Sequence, residues 1–170
     1  MNPHDPFEFI LTSSGRDELG EIPHEVAVGI GYHNGPIKLQ RGFPGPKGYG
    51  FLHVEKNARR MQLLSDFGFG GFLQFCEFVA QHYDWIGKAK KDRLIIVREH
   101  DGYDFCLFIE HKIKGTDHWS IVTGLPKRIS REEKLWVNSR MGGSEPTPCT
   151  VEKRIRFETL SLSEKTKSRR

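Results

Sequence analysis

His53, Lys56, Asn57 and Arg60 are offset by zero, three, four and seven positions, the spacing that gathers side chains on one face of a helix. That face collects a titratable base, an amide and two cations. An unperturbed histidine titrates near pH 6.5, so it serves as acid or base at working pH. Lys56 and Arg60, one or two turns away, can hold negative charge as it develops. These are the parts needed to cut RNA without a metal. A base takes the proton of the 2′-OH, an acid protonates the leaving 5′ oxygen, and cations steady the phosphorane. The clustered Asp and Glu of a two-metal nuclease are not seen, and neither metal nor cofactor is expected. His111 and His118 are candidates for a second acid or base. Lys38, Arg41, Lys47, Arg93 and Arg98 are candidates for phosphate contact, as is Arg59, which lies on a different helix face. A non-catalytic RNA-binding module and a protein-interaction domain remain as alternatives.

The elements that must position these residues follow from periodicity. Phe51, Val54, Ala58 and Met61 predict a helix over 51–65. Phe72, Phe75, Cys76, Val79, Ala80, Tyr83 and Ile86 predict a second, core helix over 72–86, stopped by Gly87 and the run Lys88–Lys91. Three strands are expected at 93–98, 103–111 and 118–123. The short turns at Asp101-Gly102 and 114–117 make them an antiparallel meander. Upstream, Val26, Val28, Ile30 and Tyr32 alternate as in a strand. Asn34-Gly35 then reads as a hairpin turn into a partner strand at 36–41. The 42–50 stretch is a Gly/Pro loop without a Walker ending; its glycines leave room for a phosphate or serve a plain connector. The expected class is α+β: an N-terminal hairpin, and two helices on one face of an antiparallel sheet formed mainly by the C-terminal meander. The opposite face, bearing Arg93, Arg98, Glu110, His111, Lys112 and His118, is left to bind something or to meet solvent.

The expected organisation is a loose leader over 1–22, a nuclease-like domain over 23–136, and a 137–170 region of linker, possible extra strand (151–162) and basic tail (165–170). Lys and Arg number 26 against 22 Asp and Glu, giving +4, and a pI near 9.0 favours a polyanionic partner. Cys76, Cys106 and Cys149 have neither finger nor disulfide-framework spacing and read as thiols of a reducing compartment. No apolar run approaches the roughly 20 residues of a membrane helix. Met1–Arg16 lacks a basic segment of the secretory kind. A cytoplasmic protein is expected, with delivery into another cell left open.

Lys47-Gly48-Tyr49-Gly50-Phe51-Leu52-His53-Val54 resembles the lead into the first helix of phage and prophage nucleases of the barnase–EndoU–colicin–RelE-like (BECR) superfamily. Gly35-Pro36-Ile37-Lys38-Leu39 and the closing Trp119-Ser120-Ile121-Val122-Thr123-Gly124 resemble strands of the same group, so the likeness covers roughly residues 26–128. The resemblance implies a ribonuclease, often a toxin, that uses a helix-borne His and a Ser or Thr on the last strand. By position these are His53 and Thr123. Many relatives carry a second polar group five residues after the His, where this chain has Ala58; Arg59 and Arg60 stand beside it. The expected partners are RNA, tRNA included, and an acidic antitoxin or immunity protein that covers a basic cleft.

Overall fold

A computed structural model describes residues 5–128 and 130–139. Its elements are β1 (Glu18–Ile22), α1 (His24–Ile30), β2 (Gly35–Lys38), α2 (Gly50–Glu55), α3 (Ala58–Asp66), α4 (Phe72–Gln81), β3 (Trp85–Lys88), β4 (Leu94–His100), β5 (Tyr103–Lys112), β6 (His118–Lys127) and β7 (Glu133–Val137). The seven strands form one sheet in the order β1-β2-β6-β5-β4-β3-β7. Neighbours are antiparallel except β2 and β6, which are parallel, so the α+β fold carries a mixed sheet.

The larger core lies between this sheet and α4, and a smaller buried cluster of Trp85, Ile95, Val97 and Cys106 lies on the other face. Phe72, Phe75, Cys76, Val79 and Ala80 recur at three- and four-residue spacing, and all are at most 2% exposed. They meet the side chains that β4, β5 and β6 turn to the same side, among them Ile96, Phe105, Leu107 and Ile121. The Phe105 ring takes edge contacts from Phe67, Phe69, Phe75 and Phe78 at centroid distances of 5.3 to 5.9 Å. Each such burial contributes roughly 1.5–3 kcal/mol.

Several expectations are corrected. Residues 26–32 do not form a strand: α1 runs from His24 to Ile30, entered at extended Pro23 and closed by Gly31 at φ 74°. Val26 and Ala27 are buried while Val28 is 67% exposed, so the helical period, not the alternation, decides what faces the core. The partner of β2 is β1, inside the stretch expected to be a loose leader, with Leu19 and Ile22 each 1% exposed. Asn34-Gly35 is therefore not a hairpin tip; β2 begins at Gly35. The leader is further tied by the Ile10 N–H donating to the Leu39 carbonyl at 2.8 Å.

The expected 51–65 helix is two helices. Asn57 is extended between them, and its side chain accepts the Arg60 N–H at 3.1 Å, which caps α3. The second expected helix stops at Gln81, because Trp85, Ile86 and Gly87 join the sheet between β4 and β7. The basic stretch after Lys127 contributes β7. The sheet is thus extended beyond β4–β6 on both sides. The linker over 141–148, the strand expected at 151–162, Cys149 and the basic tail lie outside the described residues. Cys76 and Cys106 are free and buried, and burial pushes the Cys106 thiol up to about 12. Among the described residues no helix is long and apolar enough to cross a membrane.

Candidate nucleic-acid cleft

The first half of β6 is flanked by β2 through Ile37–Trp119 and Lys38–Ser120. Beyond Ser120, among the described residues, β6 is paired with β5 alone, with Thr123 opposite Phe108 and Lys127 opposite Asp104. The short β2 leaves this edge to α2 and α3, which both pack on β6. A register shift between Phe108 and Ile109 makes Val122 the extra residue of a bulge. The bulge turns Thr123 to the Phe108 side, away from the core.

Arg60, in the first turn of α3, reaches this edge and donates from Nη1 to Thr123 Oγ1. The Asn57 cap fixes the turn that carries Arg60, so Asn57 acts on the site through the backbone. Partial burial lowers the Arg60 pKa from its ordinary value. Guanidinium titrates so high that it stays cationic at neutral pH. Thr123 accepts from Arg60, so its own hydroxyl hydrogen is left for another acceptor.

Arg60 and Thr123 head a cleft of about 690 Å³ on the sheet face away from α4. Seven Lys or Arg line it against two Glu, an imbalance that favours a polyanion. The β3–β4 turn supplies Lys88, Lys90, Lys91 and Arg93, and the far wall supplies Lys127 and Arg131. Lys127 is paired with Glu132 at 2.9 Å and Arg93 with Glu110 at 3.5 Å. Among the described residues Lys88, Lys90 and Lys91 make no ion pair, and all three are exposed. The turn that presents them holds Lys91 and Asp92 at φ 62° and 57°. Two successive left-handed residues suit a tight hairpin but cost roughly 1–2 kcal/mol each without glycine. The sequence pattern puts Lys88–Lys91 at the end of a helix. Had Trp85–Lys88 been read as a strand, the same run would have read as a cationic hairpin tip.

The other expected site residues are placed as follows. His53, on α2, is half-buried, and its Nδ1 lies 2.9 Å from the Gly45 carbonyl. A ring nitrogen facing a carbonyl bonds it by donating, which leaves Nε2 as the lone-pair base. Among the described residues no hydrogen bond joins His53 to Arg60 or Thr123. Lys56 and Arg59 are exposed. Lys38 is 6% exposed and bound to Asp17 at 2.8 Å, and Arg41 is held by Glu8 at 2.6 Å. Arg98 donates to the Phe78 carbonyl at 2.8 Å and stacks over the Phe78 ring, on the α4 side of the sheet. His111 meets Asp117 at 2.5 Å and stacks on His33.

The 42–50 loop is closed on itself by Phe43 and Tyr49, whose N–H groups donate to each other's carbonyls at 3.1 and 3.2 Å. A Cβ on Gly42 would sit 1.9 Å from the Tyr49 carbonyl oxygen, and one on Gly48 2.1 Å from that of Phe43. These glycines make room for their own backbone. Lys47 and Gly48 instead border a second cavity, which shares Lys91 and Arg93 with the first and contains His118. Among the described residues no three His, Cys, Asp or Glu converge as metal ligands would. No protein family, curated protein or solved structure matches this chain.

Proposed function

We propose that the protein is a metal-independent endoribonuclease of the toxin type, acting in a cytoplasm, its own or that of a cell it enters. The observation that carries the reading is the Arg60–Thr123 pair at the head of a cleft with seven cations against two carboxylates. A phosphate seated there meets the remaining guanidinium hydrogens of Arg60 and the free hydroxyl hydrogen of Thr123. Both strengthen as charge develops on the phosphorane oxygens. His53 Nε2 is the base in this scheme. It takes the 2′-OH proton, the 2′ oxygen bonds to phosphorus, and the bond to the 5′ oxygen breaks. That oxygen takes a proton from the medium, and the products are a 2′,3′-cyclic phosphate and a free 5′-OH. The scheme is supported by the packing of α2 and α3, the helices of His53 and Arg60, on the same strand that carries Thr123. A cleft of this charge also suits an acidic inhibitor protein.

A second reading, an RNA-binding module without catalysis, is favoured by the lack of a hydrogen bond from His53 to the Arg60–Thr123 pair. One experiment separates the two. Purified protein is incubated with total RNA and tRNA in EDTA, and the new ends are mapped. Cleavage that leaves cyclic phosphates and is lost in His53→Ala supports the nuclease. Salt-sensitive binding without new ends supports the module.

A further inference from the structure

The second cavity, about 860 Å³, has walls from three parts of the chain. The outer face of β5 and β6 gives Glu110, Lys112, His118 and Ser120; the 43–49 loop gives Phe43 and Lys47; the N-terminal segment gives Phe7. Its rim is unusual in what it leaves uncovered. Phe7 is 67% exposed, Phe43 50% and Ile113 72%, and all three line this one cavity. Large apolar groups scattered singly over a surface need no account, but several around one concavity do. They are interleaved with Lys47, Lys91, Lys112 and Lys114. The Phe43 ring is steadied edge-on by Tyr49 at 5.8 Å, and its exposed side is free for a planar ligand.

The floor includes a buried histidine. His118 is 2% exposed, and its Nδ1 lies 2.6 Å from the Thr116 carbonyl, so that nitrogen carries the hydrogen. Nε2 is buried and has no partner among the described residues. A buried acceptor left unpaired costs stability, and it is out of reach of a ligand in the cavity as the floor stands.

We infer that this cavity is a base-stacking subsite for an unpaired nucleotide flanking the scissile phosphate, which makes single-stranded RNA the substrate. The inference rests on the nuclease reading for the identity of the polyanion. Aromatic faces among lysines are the usual means of holding single strands, because every base has a face to stack and every nucleotide a phosphate. Lys91 and Arg93 line both cavities, so one strand can pass from the Arg60–Thr123 cleft into this one. A base inside a duplex has both faces covered by its neighbours, so the interior of a duplex is excluded from the subsite and an unpaired base is favoured.

The test is fluorescence anisotropy of the full chain in EDTA at fixed salt, with 2′-O-methyl RNA that cannot be cut. A mixed-sequence decanucleotide is compared with a dinucleotide and with the decanucleotide annealed to its complement. The decanucleotide is expected to bind on the order of tenfold tighter than either. Phe43→Ala, at a ring that is 50% exposed, and the double variant Lys112→Ala with Lys114→Ala should each remove most of that gain while the melting temperature stays close to the parent's. If both variants bind the decanucleotide as the parent does while Arg60→Ala weakens it, the subsite is overturned and the nuclease reading stands. If no RNA binds the parent chain, both fall. If the variants keep RNA but lose polyglutamate, the cavity belongs to an acidic protein partner and the inference is overturned.

Discussion

Along β5, alternate residues serve two different faces. Phe105, Leu107 and Ile109 point to the helices and are at most 2% exposed. Cys106, Phe108, Glu110 and Lys112 point the other way, grading from buried through half-buried Phe108 and Glu110 to Lys112, on the rim of the second cavity. The inner face is closed by α4 and by rings packed edge to face. The outer face is closed only over Trp85, Ile95, Val97 and Cys106 and is not electrically balanced, and its left-handed β3–β4 turn is held at a cost to stability. Most of the buried core therefore lies on one side of the sheet, while the other side carries the uncompensated charge beside that smaller buried cluster. Substitutions on the two sides should be separable by measuring stability and RNA handling in the same variants.

The largest effect is expected from Phe75→Ala, which empties the centre of the inner face. It should lower unfolding free energy by about 3–5 kcal/mol in a denaturant titration. Arg60→Ala should do the reverse, slowing RNA cleavage by about two to three orders of magnitude, the effect of losing one transition-state donor. Its melting shift should be smaller than that of Phe75→Ala. A third measurement is RNA affinity against salt. Log affinity should fall linearly with log salt, and Lys88→Ala with Lys90→Ala should reduce the slope by about 0.7 for each phosphate left without its lysine. The smallest effect is expected from Asp92→Gly, which relieves a left-handed residue and keeps every cation. It should raise stability by about 1 kcal/mol and leave RNA affinity unchanged or slightly tighter, since a carboxylate beside the lysines is removed. If instead it weakens binding, the turn is a working part of the cleft and not only its support.

These contrasts also explain what was legible in the sequence. The Phe72–Ala80 stripe identified α4, because a helix buried on one side prints its period on the sequence. Asp101-Gly102 marked a turn, and both residues have positive φ, 55° and 75°. Short elements were harder. Val26, Ala27 and Ile30 of α1 fit two turns of helix, but Val26, Val28 and Ile30 also fit a strand. β1 has only Leu19 and Ile22 to signal burial. Its Gly20 is explained by something remote, since a Cβ there would lie 2.2 Å from the Ala80 carbonyl oxygen at the end of α4. β3 was hidden because Ile86 continued the spacing of the preceding helix. At the site, Arg60 was visible from its helix position and Thr123 from the resemblance. Their contact spans 63 positions and depends on the β6 bulge and on β2 ending early, neither of which local pattern encodes. The lysines of the β3–β4 turn were misplaced for the same reason as β3.

The most direct test of the central claim is single-turnover cleavage of end-labelled single-stranded RNA in EDTA by the parent chain and by Thr123→Val, with melting temperatures of both. Valine keeps the shape at this edge and removes the hydroxyl that Arg60 holds. The account predicts cleavage by the parent, a rate loss of about a hundredfold or more in the variant, and closely matched melting. Equal rates in the two proteins, or no cleavage by the parent on any RNA, would contradict it.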